Sequence, residues 1–309
     1  MNERRSGRPK ETMTHETQPT LAVVGSTMID LVAYAEVLPE DGETLLGEKF
    51  QMGFGGKGAN QAVMAKLMGA EVAMVNCLGD DDYAQMYRKN FADYGINTDH
   101  VYTAPGASGV APIWVDGQGH NRIIIIPGAN HALTAQQATA AIEALAPLQV
   151  VIGQFEIPQE VTAAGFAAAQ KFEATTVLNP APASALCPAL LAVTDWLIPN
   201  EHEFALLAGS EPSDTALLSF ATQTATRLLV TLGEAGVALA VDGEVIRLPT
   251  TRVEAIDTTG AGDAFVGAFA YGLAAGLAPV AAAQLGMDRA TDSVTKLGTQ
   301  SSYAPLSPR

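Results

Sequence analysis

Short apolar runs alternate with longer segments of helical pattern along most of the chain. The first run, 21–25, reads Leu-Ala-Val-Val-Gly, as expected of a buried parallel strand. Later runs predict strands at 71–76, 149–153, 175–178, 195–198 and 227–231, and the segments 135–145 and 161–172 have the apolar spacing of helices. This alternation predicts an α/β fold with a largely parallel sheet.

Polar residues follow several of these predicted strands. The carboxyl ends of parallel strands meet at one edge of a sheet, and ligands of open α/β sheets bind at that edge. One polar residue at a strand end usually caps a loop, but a cluster of them favours a binding site. The residues concerned are Asp30, Glu156, Asn179, Asn200, Glu203 and the stretch 231–236, while the neighbouring His202 is predicted to lie on the surface.

Two stretches, 31–53 and 109–126, have a different pattern, in which short alternating pieces are split by turns that contain glycine. The pieces predict antiparallel strands at 31–34, 44–51, 109–116 and 121–126. Two insertions of this kind in an α/β chain predict a small sheet that stands off the main one. We expect this sheet to act both as a lid over the site and as a dimer surface.

The sequence Asp257-Thr-Thr-Gly-Ala-Gly-Asp263 precedes a segment that is apolar on every face up to about residue 277. A buried helix is therefore predicted to start at Gly262 or Asp263. Its N-terminus carries partial positive charge, and the small residues before it leave its N–H groups open to an anion such as phosphate. Asp263 is then either an N-cap or a base that takes a proton from an attacking hydroxyl. The glycines favour the base, because a cap alone does not need them.

A second glycine-rich stretch, residues 53–61, leads into a helical segment at 61–68. Its letters match the dinucleotide-binding pattern G-x-G-x-x-G and nearly match a P-loop. The first pattern should follow the first strand of a βαβ unit, whereas a β-ribbon precedes it here, and the second needs Ser or Thr where Gly58 stands. A glycine loop that carries Lys57 and Asn60 instead suits a polyol such as a sugar.

The 309 residues, 48% of them hydrophobic, are enough for one large core, so we expect a single main domain over residues 20–309. Residues 1–19 are polar and have no apolar run, which predicts a disordered extension and not a signal peptide. The net charge of −16, with no basic block, argues against nucleic acid and membrane as partners. Cys77 and Cys187 fit no metal or redox spacing and indicate buried thiols in a reducing cytoplasm.

The two glycine motifs, Gly55-Gly-Lys-Gly-Ala-Asn-Gln61 and Asp257-Thr-Thr-Gly-Ala-Gly-Asp263, together resemble the two signatures of ribokinase-like sugar kinases. The resemblance extends from about residue 21 to residue 303. It implies a three-layer α/β/α domain with a β-sheet lid and ATP-dependent phosphorylation of the 5-hydroxyl of a pentose, D-ribose above all. It also implies magnesium, activation by potassium, and homodimers formed lid to lid.

The resemblance further implies roles for individual residues. Asp263 matches the catalytic base, and Gly260, Ala261 and Gly262 match the anion hole. Sugar-binding positions are matched by Asp30, Gly56, Lys57, Asn60 and Glu156. The nucleotide side is matched by Asn200, Thr231, Leu232, Gly233, Glu234, Ala235 and Gly236, with Gly262 beside the phosphates; magnesium is matched by Glu203, and the potassium loop by Asp257, Thr259, Ser293, Lys296, Gly298 and Ser302.

Two methionines depart from the family pattern. Met28 stands where an asparagine that contacts the sugar 2-hydroxyl is common, and deoxyribose-specific members resemble this chain there. Because an apolar pocket rejects an added hydroxyl only weakly, by about a hundredfold at most, we expect 2-deoxy-D-ribose to be accepted and D-ribose still to be turned over. Met287 stands where Asn or His is common near the adenine. A thioether packs on a purine face, so ATP binding is expected to persist, while the sequence leaves the base selectivity open.

Other functions stay open on the sequence alone. They are a kinase that acts mainly on 2-deoxy-D-ribose, a non-catalytic sugar or nucleotide sensor, and a nicotinamide-dependent oxidoreductase. A sensor would be expected to lose Asp263 or the anion hole, and both are intact. Fructose and nucleoside kinases share the Gly-Ala-Gly-Asp half of the pattern, whereas the complete Gly-Gly-Lys-Gly-Ala-Asn-Gln favours a pentose.

Overall fold

The structure, a computed structural model, describes residues 18–306. Its strands are β1 (Thr20–Val24), β2 (Met28–Tyr34), β3 (Lys49–Gly55), β4 (Glu71–Leu78), β5 (Asn97–Thr103), β6 (Val110–Val115), β7 (Asn121–Ile123), β8 (Val150–Gly153), β9 (Thr175–Leu178), β10 (Trp196–Leu197), β11 (Arg227–Thr231), β12 (Val237–Val241) and β13 (Glu244–Leu248). Its helices are α1 (Lys57–Leu67), α2 (Asp82–Tyr94), α3 (Ala135–Leu145), α4 (Gln159–Gln170), α5 (Pro188–Leu191), α6 (Glu201–Ala208), α7 (Asp214–Thr224), α8 (Ala261–Ala274) and α9 (Pro279–Ser293).

The main sheet runs in the order β13-β12-β11-β10-β9-β8-β1-β4-β5. All neighbours from β5 to β11 are parallel, and β12 and β13 add an antiparallel edge. The residues that follow β1, β8, β9, β10 and β11 therefore emerge at one edge of the sheet, where α/β folds bind ligands.

Helices cover both faces of this sheet. Leu21 and Val23 of β1 belong to an apolar cluster with α1, α8 and α9, whereas Ala22 and Val24 belong to a cluster with α3, α4 and α7. The alternation follows from the two-residue period of a strand. The three-layer α/β/α domain that the sequence predicted is therefore confirmed.

A small second sheet has the order β3-β2-β6-β7, and we call it the lid. β2 pairs antiparallel with β3 and parallel with β6. Because directly opposed residues point to the same side, the even-numbered residues of β2 share one face with Ala111 and Ile113. Phe50 and Met52 lie on the other face.

The predicted strands at 175–178 and 227–231 coincide with β9 and β11. The strand predicted at 44–51 was wrong in its first half, because residues 44–48 lie outside any strand and β3 continues to Gly55. β3 is determined by its pairing with β2, and strand propensity depends strongly on such context. The strands β5, β12 and β13 were not predicted.

The helix predicted to start at 262 or 263 and to reach about 277 is α8, Ala261–Ala274. It ends early because Gly276 adopts a left-handed φ of 77°, a common way of terminating a helix. The extension predicted for residues 1–19 lies outside the described residues, apart from Gln18 and Pro19. Within residues 18–306, no helix is both long and apolar enough to cross a membrane.

Candidate active site

Glycines allow the start of α1 to lie against the segment that follows β1. Gly56 has a φ of 87°, in the left-handed region that favours glycine. A Cβ on Gly56 would lie 2.7 Å from the backbone nitrogen of Met28, and a Cβ on Gly58 would meet backbone just as closely. The glycine stretch thus places Lys57 and Asn60 beside the carboxyl end of β1.

Glu156, which follows β8, holds the first turn of α1. Its Oε2 accepts hydrogen bonds from the Lys57 N–H at 2.8 Å and from the Ser26 hydroxyl. Burial raises the pKa of Glu156, and the Lys57 charge and these hydrogen bonds oppose the rise. Burial alone would lower the pKa of Lys57, but the carboxylates of Asp263, Glu156 and Glu203 raise it. Lys57 is therefore a positive charge that faces carboxylates from three parts of the fold.

Asp263, in the first turn of α8, is 5% exposed and is held by two side-chain amides. Asn60 Nδ2 donates to its Oδ2 and Gln61 Nε2 donates to its Oδ1, each at 2.9 Å. Gln61 Nε2 also lies 3.2 Å from Asn179 Oδ1. With a donor on each oxygen, the plane of the Asp263 carboxylate is fixed.

Asp30 reaches the site from the lid. Gly55 lies so close that a Cβ on it would overlap the Asp30 carboxylate. Burial, followed by the negative charges of Glu156 and Asp263, raises the pKa of Asp30 to about 7. Three carboxylates thus act on one another across this space, and such a cluster of acceptors suits the hydroxyl groups of a polyol.

Met28 lies two residues before Asp30 on the same strand and therefore on the same face of the lid. It is 2% exposed and packs with Ala111 and Ile113. Its sulfur lies 3.7 Å from Asn130 Nδ2. The Met28 side chain is therefore apolar and packs mainly on apolar residues, with the Asn130 amide, which donates to the Thr27 and Pro127 carbonyls, next to its sulfur.

The N-terminus of α8 borders open space. Gly260 has a φ of 76°, and a Cβ on it would lie 2.7 Å from the hydroxyl oxygen of Tyr303, which donates to the Gly260 carbonyl. A Cβ on Gly262, in contrast, would meet nothing within 4 Å. In the described part of the chain, no side chain caps this helix end. The Ala261 N–H makes a long bond of 3.3 Å to the Thr258 carbonyl, and the other N–H groups and the partial positive charge of this helix end are available to an anion.

A cavity of about 350 Å³ adjoins this helix end. Of the nine residues predicted for the nucleotide side, six line it: Thr231, Gly233, Glu234, Gly236, Gly262 and Met287. Asn200, Leu232 and Ala235 do not. The sequence missed much of the apolar lining, which includes Val253, Ala255, Phe265, Ala290 and Val294. A concave, largely apolar space of this size suits a small-molecule ligand.

Asn200 and Glu203 form a reciprocal capping box at the start of α6. Asn200 Oδ1 accepts the Glu203 N–H and Glu203 Oε2 accepts the Asn200 N–H, both at 2.8 Å. Burial raises the pKa of Glu203, and the hydrogen bond from Asn200 and the Lys57 charge oppose the rise. The box fixes the half-buried Glu203 carboxylate, while His202 is exposed, as predicted.

Asp257 joins two parts of the predicted potassium loop. Its Oδ1 accepts the Thr259 N–H and its Oδ2 accepts the Gly298 N–H, both at 2.9 Å. These contacts therefore join the loop just before Gly260 to the segment after α9.

The other residues of the potassium prediction make different contacts. The Ser293 hydroxyl donates to the Ala290 carbonyl at 2.8 Å. The Lys296 ammonium pairs with Asp292 at 2.8 Å and lies 3.4 Å from the Ser302 carbonyl oxygen. No group of three or more His, Cys, Asp or Glu side chains within residues 18–306 is arranged to hold a metal ion, so a cation here would depend largely on carbonyl and hydroxyl oxygens.

Sequence reasoning missed residues that contact the predicted ones. Ser26 bonds to Glu156, Gln61 bonds to Asp263, and Tyr303 bonds to Gly260. Gln61 follows Asn60 directly in the glycine motif, so its position in the sequence could have identified it as a site residue. Tyr303 stands in a stretch with no motif of its own, and only the fold brings it to α8.

Residues 18–305 match the pfkB family of carbohydrate kinases. The chain belongs to this family. It is 38% identical over 294 residues to a deoxyribokinase of Salmonella typhi, covering 93% of this chain and 96% of the relative. It is 36% identical over 310 residues to a ribokinase of Mus musculus, covering 96% and 95%. The structure of an Arabidopsis thaliana ribokinase complexed with ribose and ATP is 29% identical and has a TM-score of 0.85, covering 93% of this chain and 96% of that one.

Membership of the pfkB family confirms the predicted resemblance to ribokinase-like sugar kinases. It also explains why the site has two halves, since a carbohydrate kinase must hold a polyol and a phosphoryl donor next to each other. The glycines that match the dinucleotide pattern lie at the end of β3, in the lid, and at the start of α1. Because the first strand of a βαβ unit does not precede them, the oxidoreductase alternative has no structural support.

Proposed function

We propose that this pfkB family kinase is an ATP-dependent pentose kinase that phosphorylates the 5-hydroxyl of D-ribose and yields D-ribose 5-phosphate and ADP. One observation carries the proposal: Asp263, held by Asn60 and Gln61, stands in the first turn of the helix whose open end borders the cavity. The base therefore lies between a polar pocket and a nucleotide-sized space. Full-length relatives that are ribokinases support D-ribose as the substrate.

The polar pocket suits a pentose. Asp30, Glu156 and Asp263 offer carboxylate oxygens that accept hydrogen bonds from sugar hydroxyls, and Lys57 and Asn60 offer donors. Gly56 allows the backbone at the start of α1 to pack directly against the segment after β1, since a side chain there would collide with that segment. Such matched acceptors and donors orient the sugar so that one hydroxyl faces Asp263.

In the proposed reaction, Asp263 takes the proton of the 5-hydroxyl while that oxygen attacks the γ-phosphorus in line. The new oxygen–phosphorus bond forms as the bond to the β-phosphate oxygen breaks, and ADP leaves with the electron pair. The hydrogen bonds from Asn60 and Gln61 orient the accepting carboxylate.

The start of α8 stabilises the charge on the transferred oxygens. Gly260, Ala261 and Gly262 present N–H groups without a capping side chain, and the helix adds its partial positive charge. Lys57, whose pKa is raised by the surrounding carboxylates, adds a full positive charge between the two halves of the site. Both features are in place before substrate binds, so little reorganisation is needed in the transition state.

The cavity is proposed to bind the nucleotide. Its lining residues Thr231, Gly233 and Gly236 bring backbone close to the ligand, and Met287, which is 3% exposed, offers a thioether to the purine face. Three further residues are proposed to contact the nucleotide only because they match the family pattern: Asn200, Leu232 and Ala235.

We also propose that the reaction uses magnesium. Glu203 Oε2 is used by the capping box, and its second oxygen has no hydrogen-bond partner among residues 18–306. Mg²⁺ usually binds proteins through one or two carboxylates, water and substrate phosphates, so Glu203 fits as the residue that would hold it. When bound, magnesium neutralises phosphate charge.

Only some of the residues predicted for the potassium loop are placed to bind a cation. Asp257 draws Thr259 and Gly298 together, and a carboxylate with backbone carbonyls is a suitable oxygen donor set. The Lys296 ammonium near the Ser302 carbonyl opposes a second cation at that oxygen. We therefore assign the cation to the Asp257 side of the loop, where it would offset the Asp257 charge; Ser293 stays a proposed ligand.

A second candidate substrate is 2-deoxy-D-ribose. Met28 is buried and apolar on the face of the lid that carries Asp30, and a thioether cannot donate a hydrogen bond to a 2-hydroxyl. The deoxyribokinase of Salmonella typhi is a relative of similar length and 38% identity. Because an apolar wall discriminates weakly against a hydroxyl, we expect both pentoses to be turned over.

We also propose a homodimer through the lid. One face of the lid carries Asp30, whereas the other exposes Phe50 at 63% and Met52 at 41%, with the half-buried Leu31 and Trp114 beside them. Contiguous exposed apolar surface of this kind usually marks an interface. The two cysteines are free thiols, which supports the reducing cytoplasm as the compartment.

A coupled ADP-release assay with ATP, magnesium and potassium tests the proposal. D-Ribose and 2-deoxy-D-ribose are compared under the same conditions. A higher kcat/KM for D-ribose supports the main proposal, whereas a tenfold preference for 2-deoxy-D-ribose, about 1.4 kcal/mol of transition-state stabilisation, supports the alternative. Turnover of neither pentose would overturn both.

A further inference from the structure

A chain of amides, half-buried at Asn90 and buried at Gln300 and Asn60, leads from α2 to Asp263. Asn90 Nδ2 donates to Gln300 Oε1 at 2.9 Å, Gln300 Nε2 donates to Asn60 Oδ1 at 3.0 Å, and Asn60 Nδ2 donates to Asp263 Oδ2 at 2.9 Å. Gln300 is 5% exposed and Asn60 4%, so water does not readily replace these bonds. The chain joins residues that are far apart in the sequence.

The direction of this chain is determined by its last member. An ionised carboxylate only accepts, so Asn60 must turn its NH₂ group to Asp263 and its carbonyl oxygen to Gln300. Gln300 must then present its NH₂ group to Asn60 and its oxygen to Asn90. Tyr87 supports the same orientation, because its hydroxyl donates to the Gly55 carbonyl and its oxygen lies 3.5 Å from Gln300 Nε2.

We propose that Gln300 is a positioning residue for Asp263 and acts through Asn60. This inference deepens the proposed kinase function and rests on Asp263 as its base. By donating to Asn60, Gln300 keeps the Asn60 amide from rotating and directs its N–H to the carboxylate. The other carboxylate oxygen is held independently by Gln61, whose own Oε1 accepts from Gln154 Nε2 at 2.6 Å. Loss of Gln300 should therefore weaken the alignment of the base without removing it.

Two substitutions separate positioning from packing. Gln300→Met keeps the size of the side chain and removes its donor. Gln300→Glu keeps the acceptor for Asn90 but, when ionised, faces Asn60 with a carboxylate, so Asn60 cannot donate to both carboxylates. If Gln300 served only as an anchor for Asn90, Gln300→Glu would be the milder change.

We expect the opposite order in the ADP-release assay, run at pH 8.5 to keep the introduced carboxyl ionised. Gln300→Glu should lower kcat by about thirtyfold and Gln300→Met by about fivefold, with KM for ATP nearly unchanged, since a hydrogen bond to a charged group is worth more than a neutral one. Gln284→Glu, on the exposed face of α9, is the matched control and should retain wild-type kcat. Equal activity of both Gln300 variants, or a milder effect of Gln300→Glu, would overturn the proposal.

A second measurement does not depend on activity. Gln300→Glu should lower Tm by about 4 °C or more in the wild-type background, and by less than half as much in an Asp263→Asn background, because an amide at 263 lets the Asn60 amide reverse. The same loss in both backgrounds would refute the coupling. If the wild-type protein phosphorylates neither pentose, the proposed function fails, while this thermal comparison still decides whether Gln300 orients Asp263.

Discussion

Asn60 Nδ2 donates a hydrogen bond to Asp263 Oδ2 at 2.9 Å across 203 residues of sequence. The bond joins the glycine motif at the start of α1 to the glycine motif at the start of α8. Each motif on its own suggests a ligand site, but the bond makes them parts of one site. The proposed catalytic base is therefore positioned by the same stretch that is proposed to bind the sugar.

Asp263→Asn should lower kcat by about a thousandfold, because an amide of the same size cannot take the proton of the attacking hydroxyl. The affinity for the pentose, measured by calorimetry, should change much less. Asp288→Asn, at an exposed position on α9, serves as the control. A loss of kcat below tenfold would exclude Asp263 as the base.

Pentose affinity should fall as the pH drops through 7. Burial and the charges of Glu156 and Asp263 raise the pKa of Asp30 from 3.8 to about 7, and sugar hydroxyls donate to the ionised carboxylate. Binding thus competes with a proton, and calorimetry should show a Kd about tenfold weaker at pH 6 than at pH 8. In the Asp30→Asn variant, the difference in Kd between pH 6 and pH 8 should shrink markedly. If the variant keeps the same pH dependence of Kd, a group other than Asp30 causes it.

The same pKa shift affects stability with a defined sign. The folded protein retains the Asp30 proton up to about pH 7, whereas the unfolded chain releases it near 3.8. The contribution of this group to the free energy of unfolding is therefore complete below 3.8 and is lost as the pH rises through about 7. Asp30→Asn should accordingly raise Tm at pH 8 more than at pH 5 in thermal unfolding scans. A larger gain at pH 5 would contradict the assignment.

Met28→Asn should shift the pentose preference toward D-ribose. An amide at this position can hydrogen-bond the 2-hydroxyl, and it is left unpaired when 2-deoxy-D-ribose binds. The ratio of kcat/KM for D-ribose to that for 2-deoxy-D-ribose should rise by about tenfold or more. Met28→Leu keeps the site apolar and should leave the ratio unchanged. If both variants shift the ratio equally, volume and not hydrogen bonding sets the preference.

Glutamates on the outer face of the lid should disrupt the homodimer. The double substitution of Phe50→Glu and Met52→Glu places two charges in the proposed apolar interface, which is costly without partners. Light scattering coupled to size exclusion should show a dimer for the wild type and a monomer for this variant. Leu206→Glu, at an exposed apolar position on α6, should remain dimeric. A monomeric wild type at micromolar concentration would refute the interface.

Local sequence patterns were sufficient to predict many of the proposed site residues. Asp263 and the glycines before it were predicted because a helix start, a nest of small residues and a carboxylate all lie within one short stretch. Lys57 and Asn60 were predicted because they stand in a glycine-rich stretch that leads into a predicted helix. The lining of the cavity by Val253 and Val294 was not, because these residues belong to different elements and share no local pattern.

The sequence by itself determined the α/β class, the approximate positions of the central strands and the two motifs, since burial on both faces and glycine geometry leave local signals. Only the tertiary structure decided the edge strands β5, β12 and β13, the end of β3 at Gly55, and the amide chain through Gln300. These features depend on pairing and hydrogen bonds between distant segments. Such contacts are selected by the whole fold, and no short stretch of the chain encodes them.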